Sequence, residues 1–286
     1  MNYEGLIFRP PSEAYSLILQ VAVGCAHNSC TFCRMYKDDS FHIKPMSEIF
    51  RDIEEVSRYA WKRVFLADGD ALIIKTDDLL EIIKKIKKEM PRIERIASYA
   101  AVQDIEQKSV EELILLRETG LEMLYIGVES GDDELLKKIR KGVNHDRTKA
   151  ALIKAKEAGF ITSVTLISGL GGIENSERHA LESARVMSGT NTDYISFLTL
   201  YLEEGAPMYD DLMNGSFKLM NAKECLNEIG IFLEHIDSDG TIFRANHASN
   251  YLTLKGTLNR DKKRMTDEIK KALNLGKLRP EIFRAL

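Results

Sequence analysis

The sequence predicts an α/β fold, a partial parallel barrel of TIM type with about six strand–helix units and a helical and irregular C-terminal cap. Short apolar runs alternate six times with amphipathic helical segments before about residue 203. Runs such as VTLI and LYIGV are continuously apolar, which is typical of parallel strands covered by helices. With 286 residues, 44% hydrophobic and 29% charged, the chain can bury a sizeable core, which excludes collagen-like, disordered and disulfide-dense proteins.

The first part of the barrel carries clear helix-start and helix-stop signals. The helix from Asp77 opens with acids, closes with lysines and stops before Pro91. In the next helix Ser109 and Glu112 form a capping box, and a glycine ends it. The predicted elements are, in order, a strand over 17–23, a helix from Ser47, the strand KRVFLAD, the helix from Asp77, the strand RIASYAAV, the helix SVEELILLRETG and the strand EMLYIGVE.

The second part continues the alternation and then loses it. The helices DDELLKKIRKG and NHDRTKAALIKAKEAG precede the strand ITSVTLISG, the helix ENSERHALESARVMSG and the strand DYISFLTLYL. Beyond residue 203 the sequence predicts a loop in EEGAPMYDDLMNGSFKLM, a helix in NAKECLNEIGIFLEHI, an irregular polar segment in RANHASNYLTLKGTLNRDK and a last helix. We therefore expect a barrel core over 1–202 and a cap over 203–286 packed on the same domain.

The net charge and the N-terminal sequence indicate the expected partners and cellular compartment of the protein. Lysine and arginine number 40 against 44 acids, a net charge of −4, which argues against broad attraction to nucleic acid or to anionic membranes. The N-terminus has no basic start and no long apolar stretch, and no apolar run approaches the roughly 18 residues of a membrane helix. We expect a cytoplasmic protein.

Three cysteines provide the strongest chemical signal. Cys25, Cys30 and Cys33 lie directly after the first predicted strand, at the strand end where barrel enzymes carry their chemistry. In a reducing cytosol such clustered thiols bind a metal or do redox chemistry rather than form structural disulfides. Three thiolates can ligate three irons of a cubane cluster and leave the fourth iron open to a small molecule.

Other readings of the cysteines remain open. A ferredoxin needs a fourth thiol nearby, and Cys225 lies 192 residues beyond Cys33 in an apolar helix, where it is expected to be buried. A structural zinc site can combine the three thiolates with His27 or His42. Three unliganded cysteines are the third reading.

The cysteine loop resembles that of the radical S-adenosylmethionine (SAM) superfamily. That superfamily has three cysteines after the first barrel strand and an aromatic residue just before the last one, as Phe32 is here. The usual spacing is C-x3-C-x2-C; the extra residue between Cys25 and Cys30 is a variant that the superfamily tolerates. The resemblance extends over about residues 17 to 200.

Further motifs extend this resemblance. Asp68, Gly69 and Asp70 resemble a Gly-Gly-Glu turn after the second strand, whose backbone carbonyls receive the methionine amine. GVESG, followed by a lysine twelve residues after Glu129, resembles the subgroup of methylthiotransferases and oxygen-independent coproporphyrinogen dehydrogenases. The resemblance implies cofactor contacts from Glu129 and Ser130 to the ribose or the amine, from Lys141 to the carboxylate, and from Thr165, where the subgroup often has an acid, and Gly169 near the adenosine.

The chemistry of SAM agrees with this assignment. The ammonium needs an acid or carbonyls, which Asp70 can supply, and the carboxylate needs a cation such as Lys141. The ribose needs a polar acceptor such as Glu129, and the adenine needs an apolar slot such as Phe32 can form. A carboxylate such as Glu129 at the end of an apolar strand is costly unless it is paired or functional. Lys141 can alternatively be an ordinary cation at a helix C-terminus.

The cap offers candidates for the substrate. Its polar segment mixes amide, imidazole, phenol and cation, which suits either a solvated loop or a polar substrate site. The candidate substrate residues are Arg244, Asn246, His247, Asn250 and Tyr251.

By this resemblance the chain is expected to hold one 4Fe-4S cluster through its three clustered cysteines and to bind SAM. An electron from a flavodoxin or ferredoxin then cleaves SAM to a 5′-deoxyadenosyl radical, which removes hydrogen from an unidentified polar substrate. Only Cys225 lies outside the loop, which argues against an auxiliary cluster and hence against methylthiotransferase or multi-cluster maturase activity; the length leaves no room for a cobalamin domain. The alternatives are a noncatalytic zinc or iron–sulfur scaffold protein and a simple electron carrier.

Overall fold

The computed structural model describes residues 1–284. Its strands are β1 Leu17–Gln20, β2 Ala22–Val23, β3 His42–Ile43, β4 Arg63–Ala67, β5 Arg95–Ala100, β6 Leu121–Glu129, β7 Ile161–Ser168, β8 Tyr194–Thr199, β9 Ile242–Ala245 and β10 Leu254–Thr257. The main sheet has eight of these strands, in the order β1-β4-β5-β6-β7-β8-β9-β10. The strands pair in parallel from β1 to β6 and from β7 to β9, whereas β10 pairs antiparallel with β9. This mostly parallel sheet confirms the predicted α/β fold.

The helices follow the predicted alternation, with short 3₁₀ turns at Pro11–Glu13, Ala71–Ile73 and Glu281–Phe283. The capping box is confirmed, because the Ser109 hydroxyl accepts from the Glu112 amide and the Glu112 carboxylate accepts from the Ser109 amide. The helices are α1 Met46–Val56, α2 Thr76–Glu89, α3 Val102–Gln107, α4 Val110–Thr119, α5 Asp133–Lys138, α6 His145–Glu157, α7 Gly172–Met187, α8 Pro207–Met213, α9 Ala222–His235 and α10 Lys262–Leu275.

The chain divides into two compact units. The first unit contains residues 1–28, 35–126 and 154–162, and the second contains 29–34, 127–153 and 163–286. The boundary that the sequence suggests at residue 202 stays a prediction.

In the second unit, an aromatic cluster fixes which face of β8 and β9 is covered. The rings of Phe197 on β8 and Phe232 on α9 lie 4.8 Å apart between centroids, and Phe243 on β9 lies 5.9 Å from Phe197. All three side chains are buried. Since successive residues of a strand point to opposite faces, Ser196 of β8 and Arg244 of β9, which adjoin these phenylalanines, face away from α9.

The cap is more regular than its sequence suggests. The segment predicted to be irregular, residues 244–262, contains the end of β9 and all of β10, and its Ala245 and Leu254 side chains are buried. The predicted loop after residue 203 contains α8, which begins at Pro207, a residue that favours the first turn of a helix. All three elements are short, four to seven residues each, so periodicity alone does not reveal them.

Among residues 1–284, no helix is both long and apolar enough to cross a membrane.

Candidate functional site

The cysteine loop begins and ends at a small two-stranded sheet. Antiparallel pairing of Ala22 with Ile43 and of Val23 with His42 joins the ends of the segment 24–41. Cys25, Cys30 and Cys33 in this segment are half-buried, whereas Cys225 is buried. The loop cysteines therefore have partial access to solvent, as reactive or metal-binding thiols require.

In the first unit, a buried carboxylate links the end of β4 to β1 and to the chain after the cysteines. Gln20 Nε2 donates to Asp68 Oδ2 at 3.0 Å, and the Tyr36 hydroxyl donates to Asp68 Oδ1 at 2.9 Å. Asp68 is only 1% exposed. Burial raises its pKa to about 6, although the hydrogen bonds from Gln20 and Tyr36 oppose the shift.

Gly69 permits a close approach beside this carboxylate. A Cβ at Gly69 would lie 2.6 Å from the Tyr36 ring and 3.1 Å from the Cys25 Cβ, closer than side chains normally pack. The turn Asp68–Asp70 thus lies against the first cysteine because residue 69 is glycine. Asp70 is buried and directly precedes the 3₁₀ turn Ala71–Ile73.

Two residues that orient this part of the site were missed at the sequence level. Gln20 stands in the apolar strand LILQ, and its amide also exchanges hydrogen bonds with the Glu4 backbone. Tyr36 is buried, and both burial and the neighbouring Asp68 raise the pKa of its phenol. A polar residue inside an otherwise apolar strand was the available signal for Gln20; Tyr36 had none.

In the second unit, the backbone between Cys30 and Cys33 is held from two sides. The Thr31 amide donates to the Ile139 carbonyl at 3.0 Å, and the Thr31 carbonyl accepts from the Met208 amide at 2.9 Å. Phe32 packs against an apolar cluster that includes Ile139, Ile167 and Met208. The aromatic residue before the last cysteine thus anchors the loop; its contact with adenine stays a prediction.

Glu129 and Lys141 form an ion pair. Lys141 Nζ donates to Glu129 Oε1 at 3.0 Å, and both side chains are largely buried. Glu129 has a φ of +66°, a conformation uncommon outside glycine, so the chain turns sharply where β6 ends. The sequence suggests separate roles for the two residues; the structure brings them together.

Gly127 leaves room for this pair. A Cβ there would overlap the Glu129 carboxylate and lie 3.3 Å from Lys141 Nζ. Gly127 is the first residue of the GVESG motif, but the motif does not reveal why glycine is needed there, because the constraint comes from the carboxylate that folds back over it.

Ser130 lies in a buried network instead of at an open surface. Its hydroxyl contacts His179 Nδ1 at 2.8 Å and accepts from the Asp132 amide. His179 Nε2 lies 3.1 Å from the Ile167 carbonyl, so Nε2 carries the proton and Nδ1 accepts from Ser130. Ser130 therefore connects the end of β6 to α7; its contact with SAM stays a prediction.

Gly169, after β7, is held by a buried acid from the cap. Its amide donates to Glu228 Oε1 at 2.8 Å, and Glu228 is fully buried on α9. Among the described residues, Glu228 Oε2 has no hydrogen-bond partner. Thr165 is half-buried on β7 in register with Ser196.

Three of the candidate substrate residues organise the cap. Asn250 is buried, donates to the Phe197 carbonyl and accepts from Thr199. The Tyr251 ring lies 4.2 Å from the Arg284 guanidinium carbon, and its hydroxyl donates to Glu281. His247 is half-buried against Ser249, and burial, with help from a nearby arginine, lowers its pKa.

The other two candidates, Arg244 and Asn246, are the more accessible ones. Arg244 is half-buried near the end of β9, and Asn246 is exposed. Of the five candidates, Arg244 alone lies within a strand of the main sheet.

The donor set of the loop fits an iron–sulfur cluster. Within residues 1–284, no three His, Cys, Asp or Glu side chains are grouped as a metal site. The fit therefore rests on the ligand chemistry and on how the loop is held. The loop has three half-buried thiols, a glycine packed against Cys25 and a backbone fixed at Thr31. Thiolates are the usual protein ligands of such clusters.

Comparison with known proteins decides the family. A family model described as the Radical SAM superfamily matches residues 19–184. The chain belongs to the Radical SAM superfamily of enzymes. The match includes all three loop cysteines, the Asp68–Asp70 turn and the Glu129–Lys141 pair.

Curated relatives agree with the subgroup expected from the sequence. The chain is 21% identical to the heme chaperone HemW of Bacillus subtilis over 68% of its own length and 51% of the relative's. It is 25% identical to a putative methylthiotransferase of Methanocaldococcus jannaschii, over 48% of its length and 31% of that protein's. It is 29% identical to the 3-methylornithine synthase of Methanosarcina barkeri, over 49% and 41% respectively. The chain thus spans about a third to a half of these relatives.

Solved structures support the fold. Methylornithine synthase PylB has a TM-score of 0.55 at 18% identity, covering 93% of this chain and 82% of that one. Coproporphyrinogen III oxidase HemN of Escherichia coli has a TM-score of 0.51 at 13% identity, covering 90% and 75%. At these identities the likeness concerns the fold alone.

The elevated pKa of Asp68 predicts a pH-dependent stability. Its pKa rises from an ordinary 3.8 to about 6 on folding, so between these values the folded protein binds more protons than the unfolded one. The free energy of unfolding should therefore fall as pH rises from about 4 to about 6. Relative to Asp68→Asn, the wild type should lose up to about 3 kcal/mol over this range, measured by urea unfolding.

The control for this experiment is the exposed Asp239→Asn, which should follow the wild-type pH dependence. Parallel pH profiles for wild type and Asp68→Asn would show that the carboxyl does not titrate in this way.

Gly127→Ala should destabilise the protein by about 1–3 kcal/mol, because the added methyl displaces the Glu129 carboxylate from Lys141. The matched control is Gly230→Ala in α9, where the nearest atom to a Cβ is 4.0 Å away. That change should stabilise by about 0.5–1 kcal/mol through helix propensity. Denaturant unfolding measures the free energy of unfolding of both variants. An unchanged or increased stability of Gly127→Ala would contradict the predicted clash with the Glu129 carboxylate.

Proposed function

We propose that Cys25, Cys30 and Cys33 ligate one 4Fe-4S cluster and that the chain uses it to cleave SAM reductively. The three-thiol loop at the end of the first strand carries this proposal, because it lies within the segment matched by the Radical SAM model. When bound, such a cluster supplies the electron that splits SAM into methionine and a 5′-deoxyadenosyl radical, which abstracts hydrogen from substrate. Three protein ligands leave one iron for SAM.

The residues of the chain serve to hold and orient these groups. The backbone bonds of Thr31 fix the loop, and the packing of Phe32 in the apolar cluster limits the entry of water around it. Excluding water protects a reactive species from side reactions.

The Glu129–Lys141 pair is the candidate site for the methionine end of SAM. A zwitterion carries an ammonium and a carboxylate, and this pair offers one group of each opposite sign. Both side chains retain a small exposed fraction, 10% for Glu129 and 14% for Lys141, through which a ligand can reach them. Binding would replace one ion pair by two charge-assisted contacts.

The remaining cysteine supports a single cluster in this chain. Burial raises the pKa of the Cys225 thiol to about 12, so the thiolate needed for metal ligation is disfavoured there. Cys225 packs beside Met220 and Tyr251. Its environment therefore suits a small apolar side chain.

The partners of the reaction follow from its chemistry. A one-electron donor is required, and we propose a flavodoxin or a ferredoxin in the cytoplasm. The substrate is proposed to be a polar molecule that enters at the carboxyl ends of the strands, where barrel enzymes bind their ligands. The heme, methylthiotransferase and methylornithine activities named for the relatives differ from one another, so none is transferred to this chain.

Anaerobic reconstitution tests the proposal. The wild type should bind about four irons per chain and form 5′-deoxyadenosine from SAM and dithionite. Cys30→Ala should lose this product, because removal of one thiolate breaks the ligand set. Cys225→Ala is the matched control and should retain both iron and product.

Stoichiometric zinc without iron-dependent cleavage would contradict the proposal and favour a metal-bound scaffold. In that case a chelator should unfold the chain, and SAM should not bind. Reversible redox cycling with no nucleoside product would instead favour an electron carrier.

A further inference from the structure

A row of polar side chains crosses four strands of the second unit, β7 to β10. Thr165 on β7 is in register with Ser196 on β8, and Ser196 is in register with Arg244 on β9. Arg244 is in turn in register with Lys255 on β10. Directly opposed residues on neighbouring strands share one face, with their Cβ atoms about 5 Å apart. We name Thr165, Ser196, Arg244 and Lys255 the polar row.

The polar row lies on the face that α9 does not cover. Phe197 and Phe243 are buried against Phe232 of α9, and each directly follows or precedes a member of the row. Because side chains alternate along a strand, Ser196 and Arg244 point to the opposite face. Both are half-buried there, so the row is partly open to a ligand.

The face of β7 that carries Thr165 also carries a residue of the apolar cluster around Phe32. Ile167, two residues after Thr165 on β7, belongs to the apolar cluster against which Phe32 packs. Arg244 is the next-to-last residue of β9, which runs parallel to β8. The row thus crosses the middle of β7 and β8 and lies near the carboxyl end of β9. Barrel enzymes bind substrates at the carboxyl ends of their strands.

The charge of the row is unbalanced. Arg244 and Lys255 are cations that stand directly opposite each other, an arrangement that is unfavourable in an antiparallel pair. In the described part of the chain, no carboxylate forms an ion pair with either of them. A half-buried guanidinium without a counter-charge carries a desolvation cost that a bound anion would remove.

We propose that the polar row binds an oxyanion, a carboxylate or a phosphate, through the Arg244 guanidinium and the Ser196 hydroxyl. The guanidinium donates two parallel hydrogen bonds to such a group, and the hydroxyl donates a third. Thr165 and Lys255 flank the anion on either side. That this anion belongs to the substrate of a radical reaction rests on the proposed function; the anion site itself does not.

The test is a set of binding titrations with the anaerobically reconstituted protein, without SAM. The probes are inorganic phosphate, acetate and the uncharged acetamide, and binding is followed by isothermal titration calorimetry. The wild type should bind at least one of the two anions and not acetamide. Arg244→Gln should weaken that binding about tenfold or more, since a charge-assisted bidentate contact is lost.

Two further variants secure the result. Arg185→Gln removes an exposed arginine from α7 and should bind the anion as the wild type does. Arg244→Lys retains the charge without the planar fork, and its affinity should lie between those of the wild type and Arg244→Gln. The anion that binds more tightly to the wild type identifies the source as carboxylate or phosphate.

Equal binding in Arg244→Gln and wild type, or no binding of either anion to the wild type, would overturn the anion site. SAM cleavage by the wild type is measured in the same preparation. If SAM is cleaved but no anion binding depends on Arg244, the anion site is wrong and the proposed function stands. If the anion binds through Arg244 but SAM is not cleaved, the proposed function is wrong and the anion site stands.

Discussion

The buried carboxylate of Asp68 is the constraint on which the site in the first unit depends. An acid at the end of a buried strand must be hydrogen-bonded, and Gln20 and Tyr36 satisfy it from β1 and from the chain that follows the cysteines. These bonds fix Tyr36, and the fixed ring leaves no room for a side chain at Gly69. One polar requirement thus places the turn after β4 beside Cys25, and the raised pKa of Asp68 reflects what that burial costs.

In the second unit, buried acids at the strand ends are also paired, but with a lysine and a backbone amide. Glu129 ends β6 in a left-handed conformation, and its carboxylate folds back over Gly127 to reach Lys141. Glu228 from the cap likewise accepts from the Gly169 amide at the end of β7. Acids thus hold these strand ends in position, and the Glu129–Lys141 pair is the one that we propose as a site for a charged ligand. Arg244 differs, since it has no acid to pair with among the described residues.

The fold was predictable because it depends on local periodicity, and much of the site was not, because it depends on distant contacts. Alternating apolar runs and the capping box at Ser109 revealed the strand–helix order, and an acid at a strand end pointed to Glu129. The contact of Ser130 with His179 joins residues 49 positions apart, which no local pattern encodes. The strands β9 and β10 have four residues each, too few to show a period among polar neighbours. The spacing of the loop cysteines and their resemblance to the family motif identified them as candidate ligands, and their binding of a cluster stays a proposal.

The central claim is that three thiolates hold a cluster with one iron open to SAM. Electron paramagnetic resonance of the reconstituted, dithionite-reduced protein, recorded with and without SAM, tests it most directly. Coordination of the SAM amine and carboxylate to the open iron should change the g values of the reduced cluster, and Cys33→Ala should abolish the signal. A cluster spectrum that SAM leaves unchanged, or a reduced protein that contains zinc and gives no cluster signal, would contradict the claim.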